Sequence, residues 1–148
     1  MAKLRPFFHY YGGKWRAADR YPSPSHDTIE EPFAGSAGYS TRHPDRKVVL
    51  TDANPVIVSV WEYLIGVREG EFRGLPMVHP GETVDDLPIP QEARWLIGFW
   101  LTGAATSPNR SPGAWMRSGV RPGAFWGEKV RDLLAGQLSS IRHWKVRH

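Results

Sequence analysis

The sequence predicts an α/β fold, a parallel sheet with helices on both faces. Three observations carry that expectation. A strand-like run from Thr28-Ile29 to Pro32-Phe33 ends in a glycine-rich turn, and a second run, Lys47–Thr51, ends in an acidic residue. The apolar residues that follow recur at helical spacing. Strand, turn, helix, strand, acid, helix is a βαβα order, and its crossovers favour parallel strands.

Each element has its own signal. Thr28 to Phe33 predicts a short strand, and Ala37 to Arg42 is long enough for a short helix, with Pro44-Asp45 as the turn after it. Lys47-Val48-Val49-Leu50-Thr51 predicts a second strand, closed by Asp52. Asn54 suits a helix N-cap and Pro55 the first turn, after which Ile57, Val60, Trp61, Leu64 and Ile65 mark the buried face. Gly70 to Pro90 is rich in Gly, Pro and acid and is expected to be a connection. Pro90 to Gly103 contains a helical run through Ala93, Leu96, Ile97, Trp100 and Leu101, and Thr106 to Gly123 has loop composition. Glu128 to Ile141 predicts a helix with Val130, Leu133, Leu134, Leu138 and Ile141 on one face. Trp144-Lys145-Val146 begins another strand. An unpaired apolar stub there would lack packing partners, so a truncated core strand is expected over residues 144–148.

The bulk numbers fit one domain or part of one. The chain has 148 residues, 41% hydrophobic and 23% charged, which is an ordinary folded composition. No apolar run reaches the roughly 18–20 residues of a membrane helix, and the first residues lack the apolar core of a signal peptide. Cysteine is absent, which excludes disulfides, thiolate metal sites and a cysteine nucleophile and fits a reducing cytoplasm. No metal is expected. The net charge of +4 is unevenly placed: Glu71 to Ala93 carries −4, and Arg94 to His148 carries +7. Trp115, Trp126 and Trp144 lie in that basic segment. Cations mixed with aromatics suit a nucleic-acid surface, although a solvated surface with buried tryptophans gives the same composition.

The glycine turn carries the chemistry. Gly35 and Gly38 flank two small residues, so the backbone can bend sharply and come close to a ligand. Asp52 ends the next strand, where nucleotide-binding βαβ units place a carboxylate for ribose hydroxyls, near the roughly 20-residue spacing of that role. A tight turn and a helix-capping Asp are the simpler alternative. The loop departs from G-x-G-x-x-G, which argues against NAD or FAD. Its acid-Pro-Phe-x-Gly pattern suits a smaller ligand with an ammonium group and a ribose, with Glu31 near the cation or ordering the loop. Upstream, Tyr10-Tyr11-Gly12-Gly13-Lys14-Trp15 allows close backbone approach beside a lysine able to pair with a carboxylate. It is not a P-loop, because the first Gly and the Ser/Thr after the lysine are missing.

Taken together, Tyr10 to Lys14, Glu31 to Gly38 and Thr51-Asp52-Ala53-Asn54-Pro55 resemble the Dam-like adenine-N6 DNA methyltransferases. The match covers the first 65 residues or so. The resemblance implies a partial Rossmann-like fold of the class I S-adenosylmethionine-dependent methyltransferases, and a site-specific activity on adenine in double-stranded DNA. It implies that Tyr10 and Lys14 help bind S-adenosylmethionine, Lys14 through the methionine carboxylate. Glu31 and the backbone from Phe33 through Gly35 to Gly38 would form the cofactor loop, and Asp52 would hold the ribose. Residues 1–70 would be the cofactor-binding part. Residues 71–143 would be a mostly helical and looped insertion for target recognition, with Asn109, Arg110, Arg117 and Arg121 in its DNA-contacting loops. Restriction–modification, phage protection and replication signalling are all roles open to such an enzyme.

The family's catalytic motif, most often Asp-Pro-Pro-Tyr, is absent: the chain has no Pro-Pro pair, and Ser107-Pro108-Asn109-Arg110 lacks the aromatic. No catalytic residue is therefore expected in this chain, which is read as an N-terminal fragment inactive alone. The alternatives are a non-catalytic DNA-binding or S-adenosylmethionine-binding protein on the same scaffold, and a methyltransferase acting on RNA or a small molecule. Glu30 is a mild misfit, because a central strand prefers an apolar residue there.

Overall fold

Three strands, β1 (Thr28–Pro32), β2 (Lys47–Thr51) and β3 (Lys145–Arg147), lie side by side in the order β1-β2-β3 in the computed structural model. The structure describes residues 3–103, 105–119, 121 and 123–148. Both pairings are parallel, with Ile29 opposite Val48 and Leu50 opposite Val146. The fold is thus α/β with a parallel sheet, as the βαβα order predicts. The period-2 alternation buries Ile29, Val48 and Leu50 and turns Thr28, Lys47 and Thr51 outward. Glu30 shares the outward face of β1 with Thr28, opposite the buried Ile29, so its carboxylate stays exposed.

The helix after β2, α1 (Pro55–Gly66), starts as expected: the Asn54 side chain accepts from the Val56 N–H at 3.0 Å, and Pro55 occupies the first turn. Ile57, Val60, Trp61 and Leu64 are fully buried, while Ile65 is only half-buried. Burying each such side chain contributes about 1.5–3 kcal/mol. This face packs on α3 (Gln91–Gly98) and on β3.

Elsewhere the elements differ from the sequence expectation in instructive ways. A short helix, α2 (Glu69–Arg73), forms where a connection was expected, because Phe72 buries completely against α5 (Glu128–Gln137). Another, α4 (Ala114–Ser118), interrupts the expected loop and buries none of its own residues. Within that loop, Val120 and Pro122 lie outside the described residues. The helix expected at Ala37–Arg42 contracts to a 3-10 turn at Ser40–Arg42, since Ala37 itself sits at φ 55. The last predicted helix divides into α5 and a 3-10 turn at Leu138–Ile141, and Leu133 lies exposed rather than on the buried face.

Trp144 does find packing partners. It is buried 5.7 Å from the Trp61 ring, its indole N–H donates to the Pro44 carbonyl at 3.1 Å, and β3 pairs with β2. One apolar core runs through Phe7, Phe8, Trp61, Phe99, Leu134 and Trp144, across the expected boundary at residues 70 and 71. Among the described residues no helix is long and apolar enough to cross a membrane.

Candidate functional site

The segment after β1 is a strained loop held from several sides. The Ala34 N–H donates to the Thr51 carbonyl at 3.0 Å, which extends the strand pairing by one step. The chain then turns through left-handed conformations at Phe33 (φ 54), Gly35 (φ 50) and Ala37 (φ 55). Gly35 adopts this at little cost, whereas the two residues with side chains cost about 1–3 kcal/mol each. Such strain persists only where the surroundings over-determine it, and here they do.

Asp52 supplies one restraint. Its Oδ2 accepts from the Gly35 N–H at 3.0 Å and its Oδ1 from the Asn54 N–H at 2.9 Å, so one carboxylate joins the loop to the start of α1. Glu31 supplies another, accepting from the Tyr39 N–H at 3.4 Å, the Ser40 N–H at 3.1 Å and the Ser40 hydroxyl at 2.6 Å. From the core side, the buried Trp61 indole N–H donates to the Gly35 carbonyl at 2.7 Å.

The Tyr10–Lys14 segment lies directly on this loop. A methyl group added at Gly38 would sit 2.5 Å from the Trp15 nitrogen and 2.6 Å from the Lys14 carbonyl carbon, so only glycine allows the approach. The Tyr10 ring covers Gly35 on the same side. Arg42 fixes the far end of the segment: its buried guanidinium lies 4.2 Å from the Trp15 ring and donates to the Trp15 carbonyl and to Asp19.

Between the two segments opens a cavity of about 580 Å³, within the usual range for a small-molecule site. Tyr10, Lys14, Glu31, Phe33, Gly35 and Gly38 all line it. Of the seven residues expected at the cofactor, only Asp52 is outside the lining, because its carboxylate faces the loop backbone. The lining combines one cation (Lys14) with two carboxylates (Glu30 and Glu31) and the aromatic rings of Tyr10, Tyr11, Tyr21, Phe33 and Tyr39. Phe33 is 89% exposed at its rim. Lys14 is exposed, and no carboxylate bonds it among the described residues. Such a lining suits a ligand with a carboxylate, an ammonium group and a flat ring.

Trp61 and Arg42 carry positioning roles that sequence reading did not single out. Trp61 stands on the apolar stripe of α1, where it is indistinguishable from core, and Arg42 is one base among many.

The expected DNA-contacting residues are scattered and mostly engaged within the chain. The Asn109 side-chain amide donates to the Thr102 hydroxyl at 2.8 Å, and its backbone N–H to the Gly98 carbonyl at 3.1 Å, so it braces its own loop. Arg110 pairs with Asp85, joining the basic segment to the acidic one. Arg117 donates to the Pro112 carbonyl at 2.8 Å. Arg121 shares a small cleft with Gly103, Trp115 and Phe125. Trp126 and Trp144 are buried, with their indole N–H groups donating to the carbonyls of Pro76 and Pro44, whereas Trp115 is exposed. No group of acidic and histidine side chains among the described residues could hold a metal ion. No protein-family model matches this chain, and no curated protein matches it significantly.

Proposed function

We propose that the loop cavity binds S-adenosylmethionine and that the chain carries the cofactor site of a Dam-like, site-specific DNA adenine-N6 methyltransferase, on a class I methyltransferase scaffold in the cytoplasm. The observation that supports this most is the seating of Tyr10–Lys14 on the Glu31–Gly38 loop, made possible by the absent side chain at Gly38. Two motifs far apart in sequence thereby wall one cavity. Lys14 would meet the methionine carboxylate, Glu30 and Glu31 would offset the ammonium and sulfonium charge, and Phe33 or Tyr10 would cover the adenine. Asp52 and Trp61 act by positioning the loop. When bound, S-adenosylmethionine would supply an electrophilic methyl group to the adenine amino nitrogen, which would lose a proton as the C–S bond gives way to the new C–N bond. The Asp-Pro-Pro-Tyr group that would orient that nitrogen is absent from these 148 residues, so they are inactive alone in this reading.

Calorimetry with S-adenosylmethionine tests the pocket. The parent chain is expected to bind and Lys14→Ala to bind more weakly; no binding by the parent, or equal binding by both, overturns the assignment. The missing motif also favours a second reading, a cofactor- or DNA-binding protein without catalysis. Transfer of labelled methyl groups to DNA by this chain would contradict the expected inactivity.

A further inference from the structure

A second groove lies behind the wall of the candidate cofactor cavity, with Tyr10, Gly13 and Ser36 lining both. It measures about 650 Å³ and adjoins a further space of about 510 Å³ through Arg5, Gly123, Val130 and Leu133. Apolar residues, Phe8, Trp100, Val130 and Leu133, form part of it, and three cations, Arg5, Arg16 and Lys129, stand along it. Among the described residues, no carboxylate lines either space.

These groups are partly fixed in place. The Gln137 side chain clamps the Arg5 backbone, accepting from its N–H at 2.7 Å and donating to its carbonyl at 3.1 Å. The Arg5 guanidinium then lies 5.1 Å from the Trp15 ring centre. Across the groove, His9 bonds the Ala124 carbonyl through Nε2 at 2.8 Å, and its ring lies 4.2 Å from that of Trp100. Among the described residues, no carboxylate pairs with Arg5, Arg16 or Lys129. Like charges gathered without a counter-charge favour an anion, and two adjoining spaces with Arg16 on one, Lys129 on the other and Arg5 on both suit a chain of anions better than one small ion.

We propose that this groove holds the phosphodiester backbone of a DNA strand next to the nucleotide presented at the cofactor cavity, with Arg5, Arg16 and Lys129 on successive phosphates. The inference rests on the methyltransferase reading for the orientation of the strand, but the groove is testable by itself.

Binding of a short labelled single-stranded DNA is measured by fluorescence anisotropy across a salt series. The parent is compared with the triple variant Arg5→Gln, Arg16→Gln, Lys129→Gln. A charge-matched control carries Arg46→Gln, Lys47→Gln and Lys145→Gln, which lie at the opposite ends of the strands. The groove variant is expected to bind about tenfold more weakly, with a log–log salt slope shallower by about 2, as loss of three phosphate contacts requires. The control should stay within about twofold of the parent. Equal losses in both variants, no loss in either, no binding by the parent, or tighter binding of the RNA oligonucleotide of the same sequence overturns the proposal. Calorimetry with S-adenosylmethionine on the same proteins separates the two claims. A parent that binds DNA through the groove but takes no cofactor removes the methyltransferase reading and leaves the groove standing.

Discussion

The Trp61 indole N–H donates to the Gly35 carbonyl at 2.7 Å, and through that bond the core sets the shape of the candidate cofactor loop. Trp61 is fully buried, with the rings of Phe7 and Phe8 at 5.6 and 5.7 Å. Trp61→Phe keeps an aromatic ring and removes the donor, which leaves a buried carbonyl unpaired. The expected cost is about 1–3 kcal/mol in urea denaturation, together with weaker S-adenosylmethionine binding. An unchanged midpoint and affinity would mean that the loop keeps its shape without the core.

Lys14→Ala separates binding from folding. The residue is exposed and, among the described residues, accepts no structural duty, so stability should stay within about 0.5 kcal/mol of the parent. A lost charge-assisted bond to the ligand carboxylate is worth about 1.5–3 kcal/mol, which lowers affinity by roughly tenfold or more. Denaturation and calorimetry on the same preparation check both halves.

These contrasts explain what the sequence made legible. The β-branched run Lys47–Thr51, the Asn54 cap and the apolar stripe of α1 act locally, and all three fall where the pattern puts them. The glycine motifs were legible for the same reason: backbone that must bend or approach closely needs small residues. Their meeting at Gly38 depends on a contact between segments and follows from neither motif alone. The motif places Asp52 at a ribose, but not the two backbone N–H groups, of Gly35 and Asn54, from which its carboxylate accepts in the fold. For Arg110, composition gave a cation for DNA but not the distant Asp85 that the fold sets beside it. Helix α2 was missed because Phe72 gains its burial only from α5, far along the chain.

Gly38→Ala tests the seating of one motif on the other. The added methyl meets backbone atoms of Lys14 and Trp15 at 2.5–2.6 Å, and backbone cannot swing away as a side chain would. The Tyr10–Trp15 segment should lift off the loop, at a cost of about 1–3 kcal/mol typical of overpacking. Cofactor binding should then be lost more completely than in Lys14→Ala, since both walls of the cavity move. If Gly38→Ala binds S-adenosylmethionine as the parent does, the cavity between these segments is not the site.

His43, just past the 3-10 turn that Glu31 caps, gives the loop region a pH dependence of known sign. Partial burial of the ring, followed by the nearby Arg46 guanidinium, holds its pKa below the ordinary 6.5, and Asp45 opposes the shift. A histidine with a lowered pKa takes up its proton less readily folded than unfolded. Its stabilising contribution is therefore complete above pH 6.5 and declines as the pH falls through the folded-state value. Urea midpoints of the parent and His43→Gln, compared on both sides of pH 6.5, should converge on the acid side, because the variant lacks that titration. The other five histidines are common to both proteins and largely cancel in the difference. A gap that stays constant or widens on acidification would mean that the folded protein accommodates the imidazolium at this position as readily as water does.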